Sequence, residues 1–322
     1  MPDEILPDVY RIEVPLPGNP LKAINSYVFM AGERNLVVDT GMNREECATV
    51  LRAGLAELGV DLAATDFFAT HLHADHYGLI PVLATETSTV YFNQPDAAII
   101  RSGGRWAVQL EYARRSGFPE NQLQDALQRH PGYRYTAAGH LDYRLVRDGD
   151  RVAVGDYESL CLETPGHTPG HTCLYEPAKK ILVAGDHLLE DITPNISSWL
   201  DWGNPLGQYL DSLDKIYRLD VELVLPGHRR VFRDHRRRID ELRQHHRARA
   251  DEILAILKRG EQNAFEIASQ MTWDLTYKQW EQFPVSQKWF ATGEAIAHLK
   301  YLEHERAVRK EERGGRIVYS LP

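Results

Sequence analysis

Residues 70–76 read Thr-His-Leu-His-Ala-Asp-His, so His71, His73, Asp75 and His76 crowd four metal-capable side chains into six positions. Alternate residues of an extended chain point the same way. His71 and His73 can therefore reach one metal ion, while Asp75 and His76, where the chain turns, can reach a neighbouring one. That density predicts a metal centre, in binuclear form. Three later stretches follow a similar pattern. Thr164-Pro165-Gly166-His167-Thr168-Pro169-Gly170-His171 offers two histidines on a loop stiffened by prolines and glycines. Either can bind; His167 is the favoured ligand and His171 is given a hydrogen-bonding role beside it. Gly185-Asp186-His187 places a carboxylate at a strand end, and Pro226-Gly227-His228 places a histidine in the same way.

Imidazole and carboxylate donors suit zinc, iron or manganese, with no thiolate among them. The expected cofactors are two divalent metal ions, zinc first. Metal binding lowers the pKa of water from ~16 toward 7, which makes a metal-bridging hydroxide available at neutral pH to attack an acyl or phosphoryl group. Asp75 is the catalytic candidate: close to such a hydroxide it can orient it or accept its proton, and it can equally be a ligand alone.

These loops need strands to hold them. Val9 to Val14, Asn25 to Met30 and Asn35 to Asp39 read as an antiparallel meander, and the apolar run Asp66 to Thr70 as the strand that delivers His71. Asn43 is expected to cap a helix over Arg44 to Leu58 that Gly59 ends. A helix near Gly78 and a strand at Thr89 to Phe92 continue the alternation of a layered α/β domain. Residues 95–131 break it with three helical stretches, a helical insert in which Trp106 and Tyr112 are either core or pocket residues. Strands return from Tyr143 to Val183. After His228 a helix from Phe232 to Lys258, a helix over Ala264 to Met271, another over Thr292 to Glu305 and a hairpin turning at Gly314-Gly315 follow a winged-helix plan. The expected domains are residues 1–230, catalytic, and 231–322.

Composition bounds the rest. The 322 residues are 43% hydrophobic and 26% charged, with net charge −9. No apolar run reaches the ~20 residues of a membrane helix. The start, Met-Pro-Asp-Glu-Ile-Leu-Pro-Asp, lacks the basic and apolar segments of a secretory signal, so a cytoplasmic location is expected. Cys47, Cys161 and Cys173 show no Cys-x-x-Cys spacing and read as buried thiols.

The order His-x-His-x-Asp-His, Gly-His-Thr, Gly-Asp and Pro-Gly-His resembles the metallo-β-lactamase superfamily over roughly residues 9–228. The resemblance implies an αββα sandwich with metals at one edge of its two sheets. It assigns His71, His73 and His167 to one metal, Asp75, His76 and His228 to the other, and Asp186 to a bridge between them. Asp186 stands where the best-known β-lactamases have a cysteine, which argues against antibiotic hydrolysis. His73 stands where flavodiiron oxidoreductases have a glutamate. The pattern is nearer glyoxalase II, although Leu188 to Asn195 does not resemble a glutathione-binding stretch. Trp199 and Trp202 suggest an apolar wall or ordinary packing.

The expected function is hydrolysis of an ester, thioester or lactone of a small molecule. An endoribonuclease or phosphodiesterase is the alternative, because the tail resembles the winged helix appended to lactamase-beta-like endoribonucleases; a non-catalytic, metal-stabilised regulatory protein is the second. Nine arginines between Arg229 and Arg249 read as a solvated helix face or a phosphate-contacting patch. Glu294, Glu303 and Glu305 on the last helix disfavour a nucleic-acid partner. A small-molecule substrate is the expected partner and a homodimer an open expectation, with no membrane association.

Overall fold

The computed structural model describes residues 1–135, 141–200, 203–274, 277 and 279–322. It forms two compact units, one of Met1–Gly104, Pro131–Pro194 and Ser212–Arg238, the other of Arg105–His130, Asn195–Asp211 and Ile239–Pro322.

The first unit holds two sheets. Strands β1 (Asp3–Leu6), β2 (Val9–Pro15), β3 (Ala23–Phe29), β4 (Asn35–Val38), β5 (Thr65–Phe68), β6 (Val90–Asn93) and β7 (Tyr143–Val146) lie side by side in chain order. The pairs from β1 to β4 are antiparallel and those from β4 to β7 parallel. The change comes where α1 (Glu45–Glu57) carries the chain from β4 to β5, since parallel neighbours need a crossover. The second sheet holds β8 (Arg151–Val154), β9 (Tyr157–Glu163), β10 (Thr172–Glu176), β11 (Ile181–Gly185) and β12 (Leu223–Pro226), also in chain order. Only β11 and β12 are parallel there.

Alternation along the strands decides what each face covers. Val28, Val37 and Phe67 pack with Cys47, Leu51 and Leu55 of α1. Their neighbours Tyr27, Phe29, Leu36, Val38 and Phe68 pack instead with Cys161, Leu174, Val183 and Leu225 of the second sheet. The sheets thus share one apolar core, in the two-sheet sandwich the family resemblance implies.

Short helices follow the strands: α2 (Ala74–Tyr77), α3 (Ile80–Leu83), α4 (Gln94–Arg101), α5 (Trp106–Arg115), α6 (Glu120–Arg129) and α7 (Pro131–Tyr135). Three expectations change in detail. Arg44, not Asn43, is the N-cap of α1 and makes no side-chain cap bond; the Asn43 N–H donates to Tyr135 O instead. The single helix near Gly78 is two short turns, α2 and α3, and α2 already contains Asp75 and His76. Strand β5 ends at Phe68 rather than Thr70, because the Thr70 N–H donates to the Asp39 carboxylate at 2.9 Å.

The remaining helices are α8 (Pro205–Tyr217), which no sequence expectation covers, α9 (His235–Leu257), α10 (Ala264–Ala268) and α11 (Val285–His304), followed by the hairpin of β13 (Arg309–Arg313) and β14 (Arg316–Ser320). Helix α11 begins seven residues before the expected Thr292. The second unit has its own core, in which Tyr112, Phe118 and Leu123 of the insert meet Ile253, Trp289 and Ile296.

Much of the arginine run bonds the protein itself. Arg236 donates to the carbonyls of Tyr217 and Leu219, Arg238 to those of Leu189 and Ile192, and Arg230 to Asp191. Among the described residues no helix is long and apolar enough to cross a membrane.

Candidate metal centre

Four strand ends of the first unit supply the centre. Strand β5 leads into His71 and His73 and then α2, which carries Asp75 and His76; β9 leads into the loop of His167; β11 ends beside Asp186; β12 ends before His228. All but His73 are buried.

Three ring nitrogens converge. His71 Nε2 lies 3.0 Å from His73 Nδ1, and His167 Nε2 lies 3.2 Å from the first and 2.9 Å from the second. A tetrahedral ion with nitrogen ligands at 2.0–2.1 Å requires such nitrogens to stand about 3.3 Å apart. The triangle is the size of one metal ion's face.

The second group is Asp75, His76 and His228, whose donor atoms lie within 4.8 Å of one another. His228 Nε2 is 3.5 Å from Asp75 Oδ2. Asp186 reaches both groups: its Oδ1 is 3.4 Å from His76 Nε2 and 3.5 Å from His228 Nε2, while its Oδ2 is 3.5 Å from His167 Nε2. The seven residues singled out in the sequence are thus brought to one place, in three overlapping donor groups, the third being His71, His76 and Asp186.

Other side chains fix which nitrogen faces the centre. The Asp39 carboxylate accepts the Thr70 N–H, the Thr70 hydroxyl at 2.8 Å and His76 Nδ1–H at 2.7 Å. With its proton committed to Asp39, the Thr70 oxygen accepts His71 Nδ1–H at 3.0 Å. His228 Nδ1–H donates to Ala23 O at 2.7 Å. Each bond leaves Nε2 turned inward, the usual device for orienting a ligand histidine. His171 behaves as expected of a supporting residue: Nδ1 bonds Thr164 Oγ1 at 2.8 Å and Nε2 accepts the Asp186 N–H at 3.2 Å. Asp39 is not marked in the sequence as a functional residue; its one signal is its place at the end of a strand, before Thr40-Gly41.

Burial, then the neighbouring rings, holds His71 neutral, and the same influences push His73 down to about 3. His76 goes the other way. Burial opposes its charge most, but the carboxylates of Asp186 and Asp39 together outweigh that and hold it well above the ordinary imidazole range. His228 is raised likewise by Asp186 and Asp75 against burial. Burial opposes the charge of Asp75 most, but His228, 3.5 Å away, and the charge of His76 outweigh it and draw the carboxyl down to about 2.

These residues fit divalent metal ions. His76 Nε2, His228 Nε2 and Asp186 Oδ1 are buried without a hydrogen-bond partner among the described residues. Such atoms cost free energy unless something coordinates them. Gly227 keeps the space open, since a Cβ there would stand 2.7 Å from both Asp186 Oδ1 and His76 Cε1. Trp106, Tyr112 and Trp199 belong to the second unit, where Tyr112 and Trp199 are core residues and Trp199 stacks on Trp289 with ring centroids 4.0 Å apart. Trp202 lies outside the described residues.

Comparison with known proteins agrees with this geometry. A family model described as the metallo-beta-lactamase superfamily matches residues 20–228, and one described as a metallo-beta-lactamase-like C-terminal domain matches residues 251–321. The chain is 25% identical to the "Probable metallo-hydrolase YqjP" of Bacillus subtilis (strain 168) over 97% of each protein. It is 28% identical to the acyl-coenzyme A thioesterase MBLAC2 of Gallus gallus, over 65% of this chain and 73% of that one. Among solved structures, the metallo-beta-lactamase family protein TTHA1429 from Thermus thermophilus superposes with a TM-score of 0.83 and 29% identity, covering 99% of this chain and 100% of that one. A beta-lactamase domain protein from Burkholderia ambifaria gives 0.87 and 26%, covering 100% and 94%. Sequence model, sandwich and convergent donors lead to one conclusion: the chain belongs to the metallo-beta-lactamase superfamily.

Proposed function

We propose that this metallo-hydrolase binds two divalent metal ions and cleaves the acyl bond of a small-molecule thioester, with esters and lactones as chemically related substrates. The observation that carries the reading is the Asp186 carboxylate, which turns one oxygen toward His76 and His228 and the other toward His167. A carboxylate shared in this way ties two cation sites together. The likeness to an acyl-coenzyme A thioesterase favours the thioester over other acyl groups.

When bound, zinc ions (or iron or manganese, which the same donors suit) lower the pKa of water toward about 7 and polarise a carbonyl oxygen. The chain's own residues do the rest. His71, His73 and His167 bring three nitrogens within 3.2 Å of one another, so the donors are gathered before an ion binds. Asp75 stays ionised throughout the neutral range, and a neighbouring cation would hold it lower still. A base that weak orients a proton more effectively than it stores one, which makes Asp75 an orienting carboxylate.

The test is zinc-loaded protein assayed on acyl-coenzyme A thioesters, aryl esters, lactones and single-stranded RNA, beside His73→Ala. Thioester turnover that falls by about 100-fold or more in the variant is the expected result, as for loss of an interaction made in the transition state. Turnover of RNA alone, or metal binding with no turnover of any substrate, overturns it.

A further inference from the structure

Asp96 belongs to neither donor group, yet both loops of the three-histidine group close on it. It sits in the first turn of α4, fully buried. Its Oδ2 accepts the Leu72 N–H at 2.9 Å and the Thr168 hydroxyl at 2.7 Å; its Oδ1 accepts the Gly170 N–H at 2.7 Å. Leu72 separates His71 from His73, and Thr168 follows His167 directly. A single carboxylate oxygen therefore links the two loops whose nitrogens form the triangle. The second loop also lies hard against this side chain: a Cβ on Gly170 would come within 2.8 Å of Asp96 Cγ.

The arrangement is costly. These three partners of Asp96 are neutral donors, and burial pushes its carboxyl up to about 6 against their hydrogen bonds. A buried carboxylate without a cation lowers stability, so a folded chain keeps one where it fixes something else. The residues it bonds, Leu72 and Thr168, adjoin His71, His73 and His167 of the first donor group. The second group is oriented by other atoms, Asp39 for His76 and Ala23 O for His228.

We propose that Asp96 is a positioning residue for the His71, His73 and His167 group, setting the separation of its two loops by joining Leu72 and Thr168 on one oxygen. This rests on the metal reading above. It separates Asp96 from general scaffolding, because loss of the clamp should weaken one class of metal site and spare the other.

The experiment is titration of the metal-free full-length protein with Co(II), read by visible absorption and by metal content after dialysis, with His167→Ala marking the class that depends on the triangle. In Asp96→Asn an amide N–H₂ must face at least one N–H or O–H donor, so affinity of the His167-dependent class is expected to fall by about 10–100-fold, as when a ligand's orienting partner is lost. The absorption of that class should shift, while the other class keeps its affinity. Thr168→Val removes only the hydroxyl bond and should give a smaller change of the same kind. If Asp96→Asn does not fold, Thr168→Val decides. Unchanged affinity and absorption of the His167-dependent class in a folded variant overturns the proposal, as does equal weakening of both classes. Wild-type protein that binds no metal removes both this inference and the proposed function; metal binding without thioester turnover removes the proposed function alone.

Discussion

In the metal-free site the carboxylates of Asp186, Asp39 and Asp75 favour the protonated forms of His76 and His228 against a burial that opposes them. A metal can take either Nε2 only after its proton has left. His71 and His73 are neutral already and have no proton to give. Zinc added to the metal-free protein at pH 7 in weak buffer should therefore release protons, since ligand deprotonation is coupled to binding. Affinity should rise with pH until the two raised histidines have titrated and fall as pH drops below them. An indicator dye measures the release, and His76→Ala should lower it; binding without release would show both rings to be neutral. The seven donors are legible in the sequence because four crowd into residues 71–76 and the other three stand in Gly-His, Gly-Asp and Pro-Gly-His stretches. Asp39 and Asp96 are not. Asp39 serves His76, 37 residues away, and Asp96 serves Leu72 and Gly170, 24 and 74 residues away. Their roles exist only once separate loops meet.

At the scale of elements, the donors stay together because neighbouring strands end together. β11 and β12 are parallel, and the Gly227 N–H donates to Gly185 O at 2.8 Å just past their ladder, which brings Asp186 and His228 to the same edge. Gly227 has no left-handed backbone to explain it; its requirement is space. Gly227→Ala places a Cβ against Asp186 and His76, so one of them must move. Displacements near 1 Å in a reacting site can cost about 100-fold in rate. Gly227→Ala should thus lose metal from the Asp75, His76 and His228 group and about 100-fold in turnover, with far-UV circular dichroism unchanged. Full metal content and activity would show that the glycine is not needed for space. Most strands and helices are readable from alternation and capping, but β1 and α8 are not, and α1 begins on a residue that does not cap it. A helix start held by tertiary contacts, such as the Asn43 N–H on Tyr135 O, leaves no local signal.

At the scale of the molecule, the insert and the tail meet in one core that no periodicity could pair, because its segments are residues 105–130, 195–211 and 239–322. Tyr112 reads as core or pocket until Trp289 and Ile296 are placed in the same core. The seven donors, by contrast, all lie in the first unit. Ions that bind only the folded site stabilise it by mass action, by about 2.7 kcal/mol at a hundred times the dissociation constant. Amides that exchange by local opening of that site should feel the full effect, whereas amides that open independently should feel none. Hydrogen exchange of zinc-loaded and chelator-treated protein should therefore differ by about 100-fold in rate at residues 71–76, 167–171 and 227–229, as that free energy requires. The hairpin of β13 and β14 should exchange alike in both. Equal slowing in the hairpin would mean that the two units open as one. Absence of slowing at residues 71–76 would mean that no ion is held there, however well the nitrogens are spaced.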